Sequence, residues 1–202
     1  MDNKIVMASN NKGKLKEFAE LLSDFCITVV PQSEFDIEDA VEDGLSFVEN
    51  AIIKARHASK LSGRPAIADD SGIEVDALNG APGIYSARYS GEGAADDANW
   101  KKLLKAMEGV PAEKRSCRYQ CLLVFVRHAE DPTPLICQGT WEGVVLEAPQ
   151  GDGGFGYDPI FGVLTTNKSA AELTSDEKHA RSHRGQALQY LVQQLNAHRH
   201  FD

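Results

Sequence analysis

The first seventy residues alternate between runs suited to strands and runs suited to helices, and that alternation limits the fold more than any other feature of the chain. Residues 4–8, 27–30 and 66–68 are short apolar or β-branched runs. Between them lies a segment that puts Leu15, Phe18, Ala19 and Leu22 on one helical face and is expected to run to about Asp24. A second helix is expected from Ser46 to about Gly63, with Ser46 and Glu49 at the spacing of a capping box. Strands separated by a helix-length crossover lie parallel in a sheet, so the opening predicts an α/β fold. Further on, residues 73–78 read as a strand ended by the turn signal Asn79-Gly80. Residues 96–107 read as a helix with Trp100, Leu103, Leu104 and Met107 on one face. Residues 116–126, 135–141 and 144–146 are strand-like, with Glu142-Gly143 expected to turn the last pair into a hairpin and make the sheet mixed. A final helix carries Ala187, Leu188, Leu191, Val192 and Leu195 in register, and residues 198–202 read as a frayed tail. No repeat, linker or low-complexity stretch interrupts the chain, so one domain, residues 1–202, with two lobes around a cleft is expected.

Charge narrows the partners. Lys plus Arg number 21 and Asp plus Glu number 30, a net charge of −9. Such a surface repels polyanions and argues against DNA, RNA or an anionic membrane as the main partner. A small nucleotide stays compatible, because a local basic pocket or a bound cation outweighs the global field. The longest apolar run, residues 121–126, is far short of the roughly 20 residues a membrane span needs. The N-terminus is polar within a few residues and has no signal-type apolar stretch. Cys26, Cys117, Cys121 and Cys137 form no C-x-x-C pair, so buried thiols in a reducing cytoplasm are expected.

Five groups of residues could carry chemistry. Ser9-Asn10-Asn11-Lys12-Gly13-Lys14 joins a strand to a helix, where backbone N–H groups and ammonium donors make an anion site; a solvated polar turn explains the same residues. Asp69-Asp70-Ser71-Gly72 follows a buried strand, and two adjacent carboxylates there are costly without a cation. Since neighbours in a strand point opposite ways, one carboxylate can reach a metal or water while the other faces inward; a turn or helix cap is the ordinary alternative. Lys54 falls among Phe47, Ala51, Ala58 and Leu61 on one helical stripe, so it must snorkel or meet an anion, with Glu42 and Asp70 as candidates. Gly151-Asp152-Gly153-Gly154-Phe155-Gly156-Tyr157-Asp158-Pro159 matches G-x-G-x-x-G, but no strand leads in and Pro159 stands where a helix should open, which rejects a dinucleotide loop. Phe155 or Tyr157 could stack on a base there, or simply pack over the core edge. Finally, Lys178 precedes Ser182-His183-Arg184-Gly185, where Ser182 can cap the last helix.

In this order, ASNNKGK, FVENAIIKARHA, AIADDSGIEVDALNGAPGIYSARYSG, GGFGYDPIF and SHRGQAL span nearly the whole chain, and together they resemble the inosine triphosphate pyrophosphatase family. Asn10 stands where many relatives carry glycine, while the Ser9, Asn11 and Lys14 spacing is intact. Val41 precedes Glu42 where some members have a second acid. The resemblance implies an elongated mixed α/β fold with a cleft between two lobes, a cytoplasmic homodimer, and Mg²⁺-dependent cleavage of ITP, dITP or XTP to the monophosphate and pyrophosphate. By motif position it implies that Ser9, Asn10, Asn11, Lys12, Gly13 and Lys14 hold the triphosphate and that Lys54 contacts phosphate. Glu42 and Asp70 would hold magnesium, with Asp70 as proton acceptor. Ser71, Phe155, Gly156, Tyr157, Asp158, Lys178, His183 and Arg184 would complete the nucleotide site.

Elementary chemistry is consistent with that assignment. Attack by water on a triphosphate meets strong repulsion, which a divalent cation and ammonium groups offset. Asp70 or Glu42 can take a proton from that water. Hypoxanthine and xanthine present oxygen at position 6 where adenine presents an amino group, so a cationic donor such as Lys178 or Arg184 favours the deaminated bases. The rivals are a phosphatase using an aspartyl-phosphate at Asp69 or Asp70, a nucleotide-binding sensor without turnover, and a house-cleaning pyrophosphatase for modified pyrimidine nucleotides.

Overall fold

The computed structural model describes residues 4–22 and 28–198. The expected helix end at Asp24, Cys26, Ile27 and the tail beyond His198 lie outside them. In chain order the described elements are β1 (Lys4–Met7), α1 (Lys12–Leu22), β2 (Thr28–Pro31), α2 (Phe47–Ser62), β3 (Ala66–Val75), α3 (Asp96–Ala106), β4 (Ser116–Val126), β5 (Leu135–Val145), β6 (Phe161–Val163), α4 (Ser175–His179) and α5 (His183–His198). The strands form one sheet in the order β2-β1-β3-β4-β5-β6. β1 pairs parallel with β2 (Val6 opposite Val30) and with β3 (Val6 opposite Ala66), while β5 and β6 are antiparallel. The sheet is therefore mixed, as expected, with helices flanking it.

The chain divides into two compact units. The first comprises Met1–Asp70, Cys121–Gly139 and Arg184–Asp202; the second comprises Ser71–Gln120 and Thr140–His183. β3, β4 and β5 each begin in one unit and end in the other.

In the first unit the sheet is covered on both faces. Ile5, Met7, Ile67, Cys121, Leu123 and Phe125 point to the side of Phe18 and Leu22 of α1 and Ala187, Leu188, Leu191, Val192 and Leu195 of α5. Val6, Ala8, Ala66, Ala68, Val124 and Val126 point to the other side, against Ala51, Ala55 and Ala58 of α2. The expected apolar register of α5 is thus the buried one. In α1, Ala19 is exposed rather than buried, because Leu15, Phe18 and Leu22 already cover the sheet. Phe18 is fully buried, and truncation to alanine would cost about 3–5 kcal/mol.

In the second unit β4 changes pattern. Cys117 and Tyr119 are buried while Ser116, Arg118 and Gln120 are not, so one face packs on a core and the other does not. That core gathers Ile73, Val75, Leu103 of α3, Met107 at its C-terminal cap, Trp141, Val145, Phe161 and Val163.

Three expectations about local structure are corrected. β3 does not stop at Ala68 and restart at Ile73 but runs unbroken from Ala66 to Val75, so Asp69-Asp70-Ser71-Gly72 is strand interior, not a strand end. Gly72 is required there, because a Cβ would collide with the Gly83 carbonyl and the Ser86 side chain. β5 likewise runs through Glu142-Gly143 with no hairpin: Cys137, Trp141, Gly143 and Val145 are buried in strict alternation, and Gly143 makes room for the Phe161 ring. The Ser46–Glu49 cap forms only on one side. Ser46 Oγ accepts from the Glu49 N–H at 3.4 Å, but Glu49 Oε2 accepts from Leu45 N–H and the Ser46 hydroxyl instead of the Ser46 N–H.

Candidate active site

The turn after β1 is organised by its own side chains. Ser9 Oγ accepts from the Asn11 N–H at 3.1 Å. Asn11, just before α1, accepts from the Lys14 N–H at 3.0 Å in the manner of an N-cap. Asn10 Nδ2 donates to Asp39 Oδ1 at 3.0 Å, an acid that Gln32 also holds. These bonds place Lys12 and Gly13 in the first turn of α1, where N–H groups and the helix dipole attract anions. Lys12 is exposed at that end.

Lys14 turns inward. Its Nζ lies 3.0 Å from Asp69 Oδ1. Arg184 meets the same carboxylate, with Nη2 at 3.1 Å from Oδ2, and it also pairs with Glu17. Asp69 and Arg184 are 1% and 2% exposed, so this is a buried group in which two acids face two cations. Burial pushes the Asp69 pKa up, but the charges of Lys14 and Arg184 hold it well below the ordinary aspartate range. For Arg184, burial opposes its charge, yet Asp69 and Glu17 raise its pKa further. A guanidinium engaged this way fixes the Asp69 carboxylate.

Asp70 points to the α2 side of the strand. Lys54 Nζ lies 2.9 Å from Asp70 Oδ1 and 3.2 Å from Glu42 Oε1. Asn50, one turn before Lys54, donates to Asp70 Oδ2 at 3.3 Å and accepts from the Gly44 N–H at 2.9 Å, which ties the Glu42 loop to the helix. Here two carboxylates share one ammonium. Burial raises the Asp70 pKa above the ordinary aspartate value, an effect that Lys54 offsets only in part. Burial disfavours the Lys54 charge, but Asp70, Asp69 and Glu42 together raise its pKa. The lysine thus meets anions rather than snorkelling. The stripe around it differs from the expected one, since Leu61 is 57% exposed and the buried positions are Asn50, Ala51, Ala55, Ala58 and Ser59.

Among the described residues, no group of three or more His, Cys, Asp or Glu side chains is placed to hold a metal ion. Two carboxylates converge at Lys54, and an oxygen-donor set of that kind suits a hard divalent cation. Mg²⁺ is held through one or two carboxylates while water and substrate phosphate supply its other ligands, whereas zinc needs three or four protein ligands.

The second unit carries a separate group around Asp158, which is 3% exposed. Its Oδ2 accepts from Lys178 Nζ at 2.8 Å and from the Phe155 N–H at 2.9 Å, and its Oδ1 accepts from the Tyr119 hydroxyl at 3.3 Å. Gly154, at φ +72°, is required beneath it, since a Cβ there would collide with the carboxylate. Lys178 Nζ stands 4.8 Å from the centroid of the Phe155 ring. His183, the first residue of α5, lays its ring parallel to Tyr119, with centroids 4.6 Å apart and planes 9° from parallel. Gly156 donates its N–H to Asp96 Oδ2 at 2.7 Å, pinning the loop. Of the two candidate stacking rings, Tyr157 is a core residue: it is 4% exposed and donates its hydroxyl to the Ser86 carbonyl at 2.7 Å. Phe155 is half-buried, and Ser71 is a half-buried position of β3.

The structure therefore sorts the predicted residues into three groups: Lys14 with Asp69 and Arg184, Glu42 with Lys54 and Asp70, and Phe155, Asp158, Lys178 and His183 together. Sequence reasoning missed Glu17, Asn50 and Tyr119. Glu17 lies three residues after Lys14 and Asn50 four before Lys54, so helical spacing could have flagged both. Tyr119 gives no such signal, because its partners come from residues 158 and 183.

The model of the Ham1 family matches residues 5–194. A dITP/XTP pyrophosphatase of Shigella flexneri is 59% identical over 192 residues, covering 95% of this chain and 98% of that protein. One from Vibrio cholerae serotype O1 is 58% identical over 196 residues, covering 97% and 98%. Among solved structures, a Ham1 protein from Coxiella burnetii superposes with a TM-score of 0.89 at 50% identity over 96% of this chain and 98% of that one. A nucleoside-triphosphatase, dITP/XTP pyrophosphatase, from Mycobacterium abscessus superposes with a TM-score of 0.74 at 41% identity over 93% and 98%. The family resemblance carried by the five sequence segments thus holds across nearly the full length, and the chain belongs to the Ham1 family.

Proposed function

We propose that this chain, acting as one catalytic domain, hydrolyses the triphosphates of deaminated purine nucleosides (ITP, dITP and XTP) to monophosphate and pyrophosphate, with magnesium as cofactor, and so keeps them out of DNA and RNA. The observation that carries the reading is the partly buried Glu42–Lys54–Asp70 group, where two carboxylates share one ammonium. Such a group stays short of positive charge until a divalent cation joins it. The dITP/XTP pyrophosphatase relatives support the substrate class.

The geometry supports a role for each group. The first turn of α1, with Lys12 and Gly13, receives phosphate oxygens through its N–H groups. Lys14 and Lys54 are ammonium groups held inward by Asp69 and Asp70, ready to hold the leaving pyrophosphate. Glu42 and Asp70 would hold magnesium, which when bound offsets phosphate charge and polarises the attacked phosphorus. Asp70 accepts the proton of the attacking water. Asn50 and Lys54 fix its orientation. Attack at the α-phosphorus releases pyrophosphate in one step. Lys178 donates to the 6-oxo group of the base and Phe155 stacks on the ring; the 6-amino group of adenine offers that donor no acceptor. Ser71, His183 and Arg184, which also fixes Asp69, complete the nucleotide site. A homodimer in the cytoplasm completes the reading. Among the described residues no helix is long and apolar enough to cross a membrane.

Incubation with ITP and magnesium tests the whole proposal. Pyrophosphate and IMP are expected in equal amounts. Orthophosphate instead would mean an aspartyl-phosphate phosphatase, intact ITP would mean a binding protein, and faster turnover of dUTP than of ITP or XTP would mean a pyrimidine enzyme.

A further inference from the structure

Tyr119 is a buried strand residue whose ring is fully accounted for by packing. It stacks on His183 and tilts against Phe161 at 4.6 Å between centroids. A phenylalanine would meet those contacts equally well. The hydroxyl is what packing does not explain, since a buried hydroxyl is costly unless it is bonded. It goes to Asp158 Oδ1, on the carboxylate whose other oxygen takes Lys178 Nζ and the Phe155 N–H. One tyrosine thus touches both the acid that fixes Lys178 and Phe155 and the ring of His183.

We infer that Tyr119 is a positioning residue for base selection: its hydroxyl locks the Asp158 carboxylate that aims Lys178 and Phe155, and its ring face sets the plane of His183. The inference rests on the reading of Lys178 as the donor to the 6-oxo group. The chemistry is one of direction. A carboxylate held at both oxygens cannot rotate about its terminal torsion, so the ammonium it carries is held in one place. Released at Oδ1, it swings and carries the ammonium with it, and a displacement of about 1 Å is enough to lose an oriented contact. A donor fixed in place rewards an oxygen at position 6 and penalises an amino group, whereas a mobile one discriminates less.

The test is the ratio of kcat/KM for ITP to that for ATP in a four-member cycle: wild type, Tyr119→Phe, Lys178→Ala and the double variant. Tyr119→Phe is expected to lower the ratio about tenfold, what one hydrogen bond to a charged group is worth, through a higher KM for ITP with kcat retained. In the Lys178→Ala background it is expected to change the ratio no further. A purely structural role would reduce the folded fraction and scale both substrates equally, leaving the ratio untouched. An unchanged ratio in Tyr119→Phe, or an equal loss in both backgrounds, overturns the inference while leaving Lys178 as reader. An unchanged ratio in Lys178→Ala overturns the base-reading assignment and the inference with it. Should Tyr119→Phe not fold, Asp158→Asn takes its place under the same rule: a loss of selectivity that needs Lys178 supports the lock, and one that does not overturns it.

Discussion

Asp69 and Asp70 leave β3 on opposite faces, and those faces treat a carboxylate differently. On the α1/α5 side Asp69 meets Lys14 and Arg184, with Glu17 closing the group, and acids and cations balance. On the α2 side Asp70 shares Lys54 with Glu42, and acids are in excess. The result is two adjacent aspartates with opposite displacements, Asp69 held below the ordinary value and Asp70 raised above it. Burial alone would raise both, so the count of neighbouring cations decides the sign. A balanced group fixes geometry, and an acid-rich one is a place for a cation and a proton.

The largest expected effect tests the balanced side. Arg184→Met removes the guanidinium that pairs with both buried acids, Asp69 and Glu17, and breaking such a pair costs about 3–5 kcal/mol. Chemical denaturation should show a loss of that order, and wild-type stability would remove the structural role. Next is the open side. Asp70→Asn should stay folded, because it relieves an excess of negative charge, and should lose about a hundredfold or more in turnover. Near-normal turnover would take Asp70 out of the chemistry and leave the two aspartates functionally alike. A smaller effect is expected for Glu42→Gln, which keeps the shape and deletes one of the two carboxylates. Magnesium needed for half-maximal rate should rise about tenfold, and an unchanged requirement would remove Glu42 as a ligand.

The smallest effect sharpens the comparison directly. Carboxyl NMR titration of the metal-free protein should find Asp69 ionised well below 3.8, the ordinary aspartate value, and Asp70 binding its proton above it. The signs for stability differ accordingly. The Asp69 contribution is fully present above its unfolded value and is lost as pH falls toward its folded one. The Asp70 contribution is fully present below the unfolded value and is lost as pH rises through the raised folded one. Identical titrations would erase the distinction between the two faces.

Much of the fold was legible in local pattern. The alternation of the first seventy residues gave parallel strands and crossover helices, and the apolar spacing of α3 and α5 gave their buried faces. The two misplaced strand ends share one cause. Asp, Ser and Gly have low strand propensity, so Asp69–Gly72 and Glu142-Gly143 looked like breaks. In the folded chain Asp69 is neutralised by Lys14 and Arg184, and Gly72 and Gly143 admit close neighbours, so the strands continue. Tertiary partners overrode local preference.

The candidate site divides in the same way. Sequence by itself determined which residues bring charge and where the phosphate turn, the paired aspartates, the core-facing Lys54 and the aromatic loop stand along the chain, because residue type and spacing are local properties. Only the tertiary structure decided their partners: that Arg184 belongs to Asp69 and Glu17, that Tyr157 fills the core while Phe155 lies beneath Lys178, and that Tyr119 meets Asp158 and His183. A charge acquires its role from what is buried beside it, and for residues 115 positions apart, such as Asp69 and Arg184, no spacing rule reaches that far.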